Sequence, residues 1–567
     1  MSLVSALNIG STALAVAQAQ IQTTGNNIAN AGNANYTRET TTLADNSEQQ
    51  IEPGVFLGTG VDLTGVQRQV DSALTARVNS AVSDNQSANT TSQWIGQVQS
   101  TFNALSGSDL SSQMSTFYND WSALANNPAD SGQRQVVLQD GAAVASTFQN
   151  LQGQLGGIQD SVQNTLASQV TSADQLATQI ASLNGQIVTA QGGTAGTANS
   201  LLDQRDAAVQ SLSQLMDVTT VQEPSGSLDV YVGSEPLVSG STSYGVEEQS
   251  QVVNGKTVAT AAFKSDGETM DITSGQIGAL ESVQGQVGTV QDQLNTLASN
   301  LIFSLNKLHS SGQGTAGFSS VTSTNAVTDP TQPLDSTAAG LAFTPTNGSF
   351  VVHVTDPTTG LQKSTLVQVN LTGQPTDTTL NSLAASLSGI TGVTATVSGG
   401  RLTIAASNPN QQITFSQDSS GVLAALGINT FFTGKDASTI AVNPVLTNQP
   451  TLLAAAQNGD PADNQTALAI AALGSQPIAA LQGQSLDATY QSMINGISVS
   501  AASAQSNAQA TLTVQNTLQA QKSAVSGVSL DEETVNLMQQ QTAYQGAAKL
   551  ISVVDDMMQT LMAMVIY

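Results

Sequence analysis

The sequence contains no cysteine, which excludes disulfide bonds and thiolate metal sites anywhere in the chain. It is also poor in charge: charged residues make up 9% of it, against about 25% in ordinary soluble proteins. Basic residues are the scarcer kind, with 13 Lys and Arg against 40 Asp and Glu and a net charge of −27. Nucleic acid and anionic membrane surfaces both require a basic footprint, so neither is expected as a partner.

Long apolar runs are missing as well. No stretch approaches the roughly 18 apolar residues of a membrane span. The N-terminus, MSLVSALNIGSTALAVAQAQ, has no positively charged start and no run of purely apolar residues, which argues against a cleaved signal peptide. We therefore expect a protein that either stays inside the cell or leaves it by a route that does not need such a signal.

Residue types that carry catalysis are few and unsuitably spaced. Of the two histidines, His309 and His353, neither begins an HExxH motif or has a second histidine at ligand spacing. The segment 312–317 matches GxGxxG but follows a helical pattern rather than a strand, so it lacks the context of a dinucleotide site. Glu532 and Glu533 point in different directions on a helix, whose N-terminal dipole they favour. The sequence therefore predicts no enzyme, catalytic residue, cofactor or metal site.

The dominant feature that is present is a periodic helix from Gly527 to Tyr567. It contains no proline, and apolar residues recur at every seventh position with partners three residues further on. Such a repeat makes a narrow apolar stripe on a long α-helix. Ser529, with Glu532 three residues later, predicts a capping box at its start. The stripe residues predicted to form an assembly interface are Leu537, Tyr544, Ile551, Val554, Met558 and Leu561.

A matching stripe lies at the other end of the chain. Its predicted interface residues, again seven positions apart, are Leu7, Leu14, Ile21 and Ile28. The pattern leaves two readings open: each helix covers a core of its own, or both belong to an assembly interface. Burying a large apolar side chain gains about 1.5–3 kcal/mol, whereas fixing one backbone residue costs about 1–2 kcal/mol. We therefore expect the isolated stripe to stay largely disordered until other subunits cover it.

Between the two ends the periodicity changes several times. Helical spacing extends from Val70 to about Gln191, over 199–216, from Gly275 to Leu308, and again from Ala462. This distribution predicts that helix dominates the middle of the chain.

Strand patterns fall in three places. The segment 54–66 alternates apolar residues with glycine and predicts a short hairpin, and Asn254-Gly255 predicts the turn of a second one. The segment 338–433 predicts a ββαββ module, with Ser310–Asp335 before it as a linker.

Both ends of the chain resemble the axial proteins of the bacterial flagellum. The N-terminal likeness lies in SALNIGSTALAVAQAQIQTTGNNIAN (5–30) and YTR (36–38), and the C-terminal likeness in GVSLDEETVNLMQQQTAYQGAAKLISVVDDMMQTL (527–561). Rod and hook proteins share both signatures. Internal segments are similar to the hook-associated proteins of the hook–filament junction: FYNDWSALANNP (117–128), LLDQRD (201–206) and GQIGAL (275–280).

Two segments depart from the pattern of that family. GNANYTR (32–38) stands where a Thr-Pro-Gly-Tyr-like turn is common, and the module at 338–433 resembles outer domains inserted in some flagellins and hook-associated proteins.

Periodicity and resemblance together predict a mainly α fold with inserted β domains. The expected chain is elongated and multidomain, with its terminal helices paired as a coiled coil, a long helical rod and outer β domains. The predicted parts are a terminal coiled-coil domain at 1–45 and 525–567, a helical rod at 46–215, 275–330 and 440–524, a β domain at 216–274, and an inserted α+β outer domain at 331–439.

The resemblance implies a structural protein that forms the junction between hook and filament by helical self-assembly through its terminal helices. It implies an extracellular place in the flagellum, reached through the type III export channel without a cleaved signal peptide. The implied partners are its own copies, the hook protein, the second junction protein or the flagellin side of the filament, and an export chaperone on the C-terminal helix. The alternatives are another axial protein (hook, distal rod or flagellin) and a surface adhesin carried on an axial frame.

Overall fold

The computed structural model describes residues 3–103, 109–192, 198–253, 256–460 and 462–565. Within these residues the chain is mainly helical, with strands gathered in small antiparallel sheets. The predicted fold class, mainly α with inserted β elements and paired terminal helices, is confirmed. None of the helices in these ranges is long and apolar enough to cross a lipid bilayer.

Long helices form the framework because apolar residues recur at three- and four-residue spacing over many turns. The helices are α1 (Leu3–Ala29), α2 (Ser72–Asn103), α3 (Leu110–Asn126), α4 (Ser131–Gln191), α5 (Asn199–Leu215), α6 (Gly275–Ser310), α7 (Leu380–Ser388), α8 (Val422–Leu426), α9 (Pro444–Asn448), α10 (Gln465–Leu473), α11 (Leu486–Ser526) and α12 (Leu530–Val565). The predicted helical segments correspond to α2 to α6 and to α10 to α12. Turns and a short 3-10 helix separate α10 from α11, where the sequence pattern predicts continuous helix.

The strands are short and pair antiparallel. They are β1 (Glu39–Asp45), β2 (Gln49–Glu52), β3 (Val55–Leu57), β4 (Val61–Arg68), β5 (Thr219–Gln222), β6 (Leu228–Val232), β7 (Glu235–Ser239), β8 (Thr242–Ser243), β9 (Val246–Val253), β10 (Lys256–Phe263), β11 (Ser320–Thr322), β12 (Gly348–Asp356), β13 (Leu361–Val369), β14 (Val393–Ser398), β15 (Arg401–Ala406), β16 (Gln412–Ser416), β17 (Phe432–Thr433) and β18 (Ala441–Val442). The sheets have the orders β1-β4, β2-β3, β5-β6-β7-β8, β10-β9, β11-β15-β14, β13-β12-β16 and β17-β18.

The predicted ββαββ module is present as β12, β13, α7, β14 and β15. Its two sheets also recruit β16 and β11, which the sequence pattern did not indicate. Phe350 and Phe415 are completely buried on neighbouring strands of one sheet. Gly399 and Gly400 connect β14 to β15 with φ angles of 57° and 74°. This left-handed pair is the two-residue turn that suits the twist of a hairpin, and glycine adopts it without strain.

The hairpin predicted at 54–66 is wrong in its pairing. β3 pairs with the preceding strand, β2, rather than with β4. β4 pairs with β1, so that Glu39 lies opposite Arg68. Gly60, with φ of 115°, separates the two pairs. A Cβ at this position would lie 2.6 Å from Oγ1 of Thr12 on α1, so the backbone approaches the helix too closely for a side chain.

The linker predicted at Ser310–Asp335 is also corrected. β11 lies inside this segment and pairs with β15, and Leu334 is buried. Its Ser/Thr-rich composition does not prevent packing because a few apolar residues anchor it. The turn predicted at Asn254-Gly255 lies outside the described residues, and the flanking strands β9 and β10 pair as a hairpin requires.

The chain divides into two compact units, each assembled from separate stretches of sequence. Unit 1 consists of Met1–Trp94, Ser161–Gln284 and Ala502–Tyr567, and unit 2 of Ile95–Asp160 and Gly285–Ala501. Part of the core of unit 1 is a cluster contributed by α2 and α11, formed by Leu74, Val78, Ala81, Val82 and Leu518.

Unit 2 contains a buried aromatic cluster. Trp121 on α3 is completely buried, with its ring centroid 5.6 Å from that of Phe431 and 6.4 Å from that of His309. The His309 imidazole donates from Nδ1 to the Asn429 carbonyl at 2.8 Å and accepts at Nε2 from the Ala454 N–H at 3.0 Å. These backbone partners select one neutral tautomer. Burial lowers the pKa of His309 to about 4.

Candidate assembly interface

The first and last helices of the chain pack against each other. Three contacts along their length define how they run. The contacts join Gly10 to Ile551, Thr24 to Gln540 at 2.9 Å, and Asn27 to Glu533 at 3.0 Å. Because residue numbers fall along α12 as they rise along α1, the two helices are antiparallel.

All ten predicted interface residues lie on this helix pair, but the single chain buries few of them. Val554 is buried, at 3% exposure, whereas Tyr544 is 38% exposed and Leu561 is 49% exposed. The remaining members are half-buried: Leu7, Leu14, Ile21, Ile28, Leu537, Ile551 and Met558. The helix pair therefore leaves apolar surface on the predicted stripe itself.

Small residues occupy the closest part of the seam. Gly10, Ala17 and Thr24, seven positions apart on α1, are buried, as is Ala547 on α12. A Cβ added to Gly10 would lie 2.9 Å from Cγ1 of Ile551, which is closer than ordinary contact. The small side chains let the two backbones approach. Of the predicted residues, Ile551 lies directly against Gly10 and Val554 is buried, whereas the others stay half-buried or exposed.

The prediction that the terminal stripe stays disordered without other subunits needs correction. In the single chain α1 and α12 are both helical and cover part of each other's stripe. The sequence-based free-energy comparison treated one helix in isolation. It left out the partner helix of the same chain and the hydrogen bonds at the end of the pair.

The exposure of Leu561 follows from the lengths of the two helices. Since Gly10 lies opposite Ile551, Leu3 at the start of the described part of α1 lies near the level of Met558. Residues of α12 beyond Met558 have no described residue of α1 opposite them. The last turns of α12 are therefore uncovered.

Of the capping box predicted at the start of α12, the hydrogen bond to the Ser529 side chain is present, and the return bond from Glu532 is replaced. Oγ of Ser529 accepts from the N–H of Glu532 at 3.5 Å. The Glu532 carboxylate accepts instead from the Arg38 guanidinium at 3.0 Å. The acidic start of α12 thus also binds a side chain from the N-terminal part of the protein.

Buried and half-buried polar side chains close the end of the helix pair, and we call Asn27, Tyr36, Arg38, Glu39 and Glu533 the polar network. Asn27 is its centre. Its Nδ2 donates to the Glu39 carbonyl at 2.9 Å and to Glu533 Oε2 at 3.0 Å, and its Oδ1 accepts from the Glu39 N–H at 3.0 Å and the Tyr36 hydroxyl at 2.7 Å. Every donor and acceptor position of the Asn27 amide is used.

Arg38 connects the network to the charged start of α12. Its Nε donates to Glu533 Oε1 at 2.9 Å, and its backbone N–H donates to the Ser526 carbonyl at 2.9 Å. The Glu533 side chain is 2% exposed, whereas that of Glu532, on the same guanidinium, is 64% exposed. A buried carboxylate requires such partners, because an unpaired charge in a protein interior is strongly destabilising.

The pKa of the Tyr36 hydroxyl reflects the burial and the charges of the network. Burial raises the pKa of its hydroxyl, and the nearby charges of Glu39, Asp203 and Glu533 raise it further. The hydroxyl therefore stays protonated and serves as a hydrogen-bond donor to Asn27.

A second charged group adjoins the network on α5. Arg68 binds Asp203 Oδ1 at 2.7 Å and Asp206 Oδ2 at 2.8 Å, while Asn199 donates to Glu39 Oε1 at 3.0 Å. Burial by itself lowers the pKa of Arg68, but the two carboxylates outweigh it and raise that pKa. These contacts join β4, α5 and the polar network into one set of charged and amide groups.

Four sequence motifs meet at this place: NNIAN (26–30), YTR (36–38), LLDQRD (201–206) and LDEE (530–533). In the sequence alone these motifs mark the resemblance, and Glu533 is assigned only a favourable interaction with the helix dipole, with no role for Asn27 or Arg38. A signal was present, because charged residues make up only 9% of the chain. In such a background, an ionisable residue inside each of several motifs suggests that these residues meet.

The histidines have structural partners. His353 on β12 bridges its sheet, with Nδ1 2.7 Å from the Ser364 hydroxyl and Nε2 2.7 Å from the Ser416 hydroxyl. This links β13, β12 and β16 across one face. Across the described ranges there is no group of three or more His, Cys, Asp or Glu side chains with the geometry of a metal site.

Comparison with protein families gives two matches. Residues 95–321 match the flagellar hook-associated protein FlgK helical domain. Residues 519–564, which include α12, match the C-terminal segment of the flagellar basal body rod proteins FlgEFG.

Several relatives carry the name flagellar hook-associated protein 1. The Escherichia coli protein is 25% identical over 571 residues, covering 96% of this chain and 97% of the relative. The Salmonella typhimurium protein is 32% identical over 242 residues, covering 42% and 43% of the two chains. The Bacillus subtilis protein is 31% identical over 280 residues, covering 47% and 54%.

The fold is also similar to that of a solved structure, the flagellar hook junction protein FlgK from Burkholderia pseudomallei. The TM-score is 0.50 at 18% identity, over 79% of this chain and 100% of the other. The family models, the relatives named flagellar hook-associated protein 1 and the fold therefore agree. The chain is a structural protein of the bacterial flagellum, similar in sequence and fold to hook-associated protein 1.

Proposed function

We propose that this chain is a purely structural adaptor, without enzymatic activity, between the hook and the filament. We further propose that it assembles through the part of α12 that α1 leaves uncovered. The single observation that carries this proposal is a second apolar stripe on α12.

The second stripe lies beside the covered seam, one residue earlier at each turn. We call it the uncovered stripe; its members, spaced by three, four and seven positions, are Leu550, Val553, Met557 and Met564. They are 39%, 43%, 53% and 74% exposed, respectively. Adjacent residues on an α-helix are about 100° apart. Val553, Met557 and Met564 therefore point away from the covered seam, whereas Leu550 lies at its edge, with Cδ2 3.6 Å from a Cβ added to Gly10.

A helix with two apolar stripes can pack against neighbours on two sides. One stripe meets α1 of the same chain, and the other is available to a second subunit. Such a contact joins different surfaces of the two copies, and a repeated contact of this type builds a helical array. Gly546, four positions before Leu550, has nothing within 4 Å of an added Cβ and leaves room for a close approach.

The same stripe accounts for the other expected partners. In the array, copies of the chain are proposed to contact hook protein on one side and the second junction protein or flagellin on the other. Before export through the type III channel, exposed apolar residues favour aggregation. We propose that an export chaperone covers α12 by the helix-in-groove mode. The proposed final location is the extracellular hook–filament junction, reached without a cleaved signal peptide.

The test is complementation of a strain that lacks this chain. Val553→Asp places a charge on the uncovered stripe, and the matched control Val499→Asp does the same at a 69% exposed valine on α11. We expect Val553→Asp to leave hooks without filaments, with flagellin released to the medium, while Val499→Asp restores swimming. Filaments of normal number and length with Val553→Asp would refute the proposal, and missing hooks would indicate a different axial role.

A further inference from the structure

The methionines of this chain form an interior set and an exposed set, with Met558 on α12 half-buried between them. The sequence has ten, of which Met1 lies outside the described residues. The buried ones, with their exposed fractions, are Met114 (2%), Met216 (0%), Met270 (6%) and Met493 (6%). The exposed ones all lie on α12: Met538 (56%), Met557 (53%), Met562 (65%) and Met564 (74%).

The exposed set has a chemistry found nowhere else on the described surface. Methionine is flexible and polarizable, so it adapts to irregular partner surfaces as well as filling a core. Its thioether is also the oxidisable group of this chain, because there is no cysteine. A methionine sulfoxide is polar, whereas the thioether it replaces is apolar. The property that suits α12 to packing is therefore one that oxidation removes.

We propose that the exposed methionines of α12 are a modification site for peroxides, and that their oxidation blocks assembly of the free subunit. This inference rests on the proposed function, since it requires α12 to be the assembly surface. Assembly in turn buries these thioethers and protects them. The site takes a small electrophilic oxidant, either hydrogen peroxide or a hypohalous acid.

The chemical step is a two-electron oxygen transfer. A lone pair of the Met557 sulfur attacks one oxygen of hydrogen peroxide, the S–O bond forms and the O–O bond breaks. A proton shifts between the two oxygens, and water leaves. The sulfur is oxidised to the sulfoxide, and the peroxide is reduced to water. Thiol-dependent methionine sulfoxide reductases reverse this step.

Position explains why the product interferes with assembly. Met557 lies four residues after Val553 on the uncovered stripe, and Met564 lies seven residues further on. A sulfoxide oxygen there must be buried without a hydrogen-bond partner when an apolar neighbour docks, and such burial is unfavourable. Met114, Met216, Met270 and Met493 are shielded by the fold and are expected to react much more slowly.

The experiment uses the purified full chain and isolated hooks, with binding measured by co-sedimentation. The chain is treated with dilute hydrogen peroxide, the peroxide is removed, and peptide mass spectrometry locates the sulfoxides. The matched variant replaces all four exposed methionines by leucine (M538L, M557L, M562L and M564L), which keeps the surface apolar and leaves only the half-buried thioether of Met558 on α12. Circular dichroism checks that both chains remain folded after treatment.

We expect sulfoxides on α12 peptides, a loss of hook binding of at least tenfold, and recovery after a methionine sulfoxide reductase. The leucine variant should bind hooks equally before and after peroxide. Unchanged binding of an oxidised α12 overturns the inference alone, as does equal inhibition of the leucine variant. Absence of binding by the untreated chain overturns the proposed function, and the inference with it.

Discussion

The aromatic core of unit 2 and the C-terminal helix of unit 1 use the same apolar residue types in opposite ways. Around Trp121 the chain covers all of its own large side chains, and Phe117 and Phe431 are completely buried. Along α12, Val553 and Met557 are about half exposed. In the first region, folding of the single chain buries all of the large apolar side chains. The second retains exposed apolar surface after folding, and this difference is the reason why we propose α12 as the assembly surface.

Buried polar groups differ between the two regions as well. Burial keeps His309 in unit 2 neutral, and two backbone partners select its tautomer. Glu533 in unit 1 is bound by the guanidinium of Arg38 and the amide of Asn27. The partners of His309 come from segments 120 and 145 residues away. The buried carboxylate of Glu533 needs donors that stabilise its charge, and Asn27 and Arg38 supply them, which ties the two ends of the chain to each other.

The largest expected effect is in the closed core. Trp121→Ala removes a completely buried indole and should lower the free energy of unfolding by about 3–5 kcal/mol. Phe56→Ala, at a side chain that is 57% exposed, is the control and should change it by less than about 0.5 kcal/mol. Urea unfolding, with hydrogen exchange in α3, measures both. Equal effects of the two variants would show that this core is not closed.

Acid should act on the same core through His309. Its pKa is about 4 in the folded chain against an unperturbed 6.5, so the unfolded state takes up the proton first. Stability is therefore complete above pH 6.5 and is lost as the pH falls towards 4, by about 3 kcal/mol in total. The measurement is urea unfolding at a series of pH values.

The control for this pH dependence is His309→Gln, which cannot titrate. It is needed because burial and the neighbouring Asp140 raise the pKa of Asp120 to about 6, and that shift stabilises the fold as the pH falls. The difference between the parent and His309→Gln isolates the imidazole. Identical slopes in the two chains would mean that His309 contributes nothing.

A smaller effect is expected at the polar network. Glu533→Gln weakens a buried charged hydrogen bond to Arg38 and should cost about 2 kcal/mol. Glu532→Gln, on the same guanidinium but 64% exposed, should cost less than about 0.5 kcal/mol. Hydrogen exchange should show α1 and α12 losing protection together in Glu533→Gln. Loss of protection in one helix alone would contradict a network that joins the two ends.

The smallest effect distinguishes two glycines on α1. Gly25→Ala should stabilise the helix by about 0.5–1 kcal/mol, because nothing lies within 4 Å of the added Cβ. Gly10→Ala has the same intrinsic gain, but its Cβ would lie 2.9 Å from Cγ1 of Ile551. We expect no net gain in stability there. Hydrogen exchange of α12 around Ile551 checks the difference, and equal stabilisation would argue against a close seam.

The long helices could be predicted from the sequence, whereas the strand pairing and the polar network could not. α6, at Gly275–Ser310, and α12 were recognisable because their periodicity extends over many turns. The pairing of β3 with β2 was missed because register depends on where Gly60 contacts α1. The polar network was missed because Glu533 lies about 500 residues after Asn27 and Arg38 in the sequence, and no local pattern connects it to them.

Spacing and composition alone predict a mainly helical chain without cysteine chemistry and with an apolar stripe near each end. Spacing and composition are local properties, so they can be evaluated without knowing which residues are in contact in the fold. The tertiary structure was needed to tell which apolar residues of α12 are covered by α1 and which stay exposed. It placed Gly10 against Ile551 and left Val553 exposed, although both α12 residues are apolar and only two positions apart. The reason is geometric: two positions on a helix are about 200° apart, and only a partner in space distinguishes the covered side from the free one.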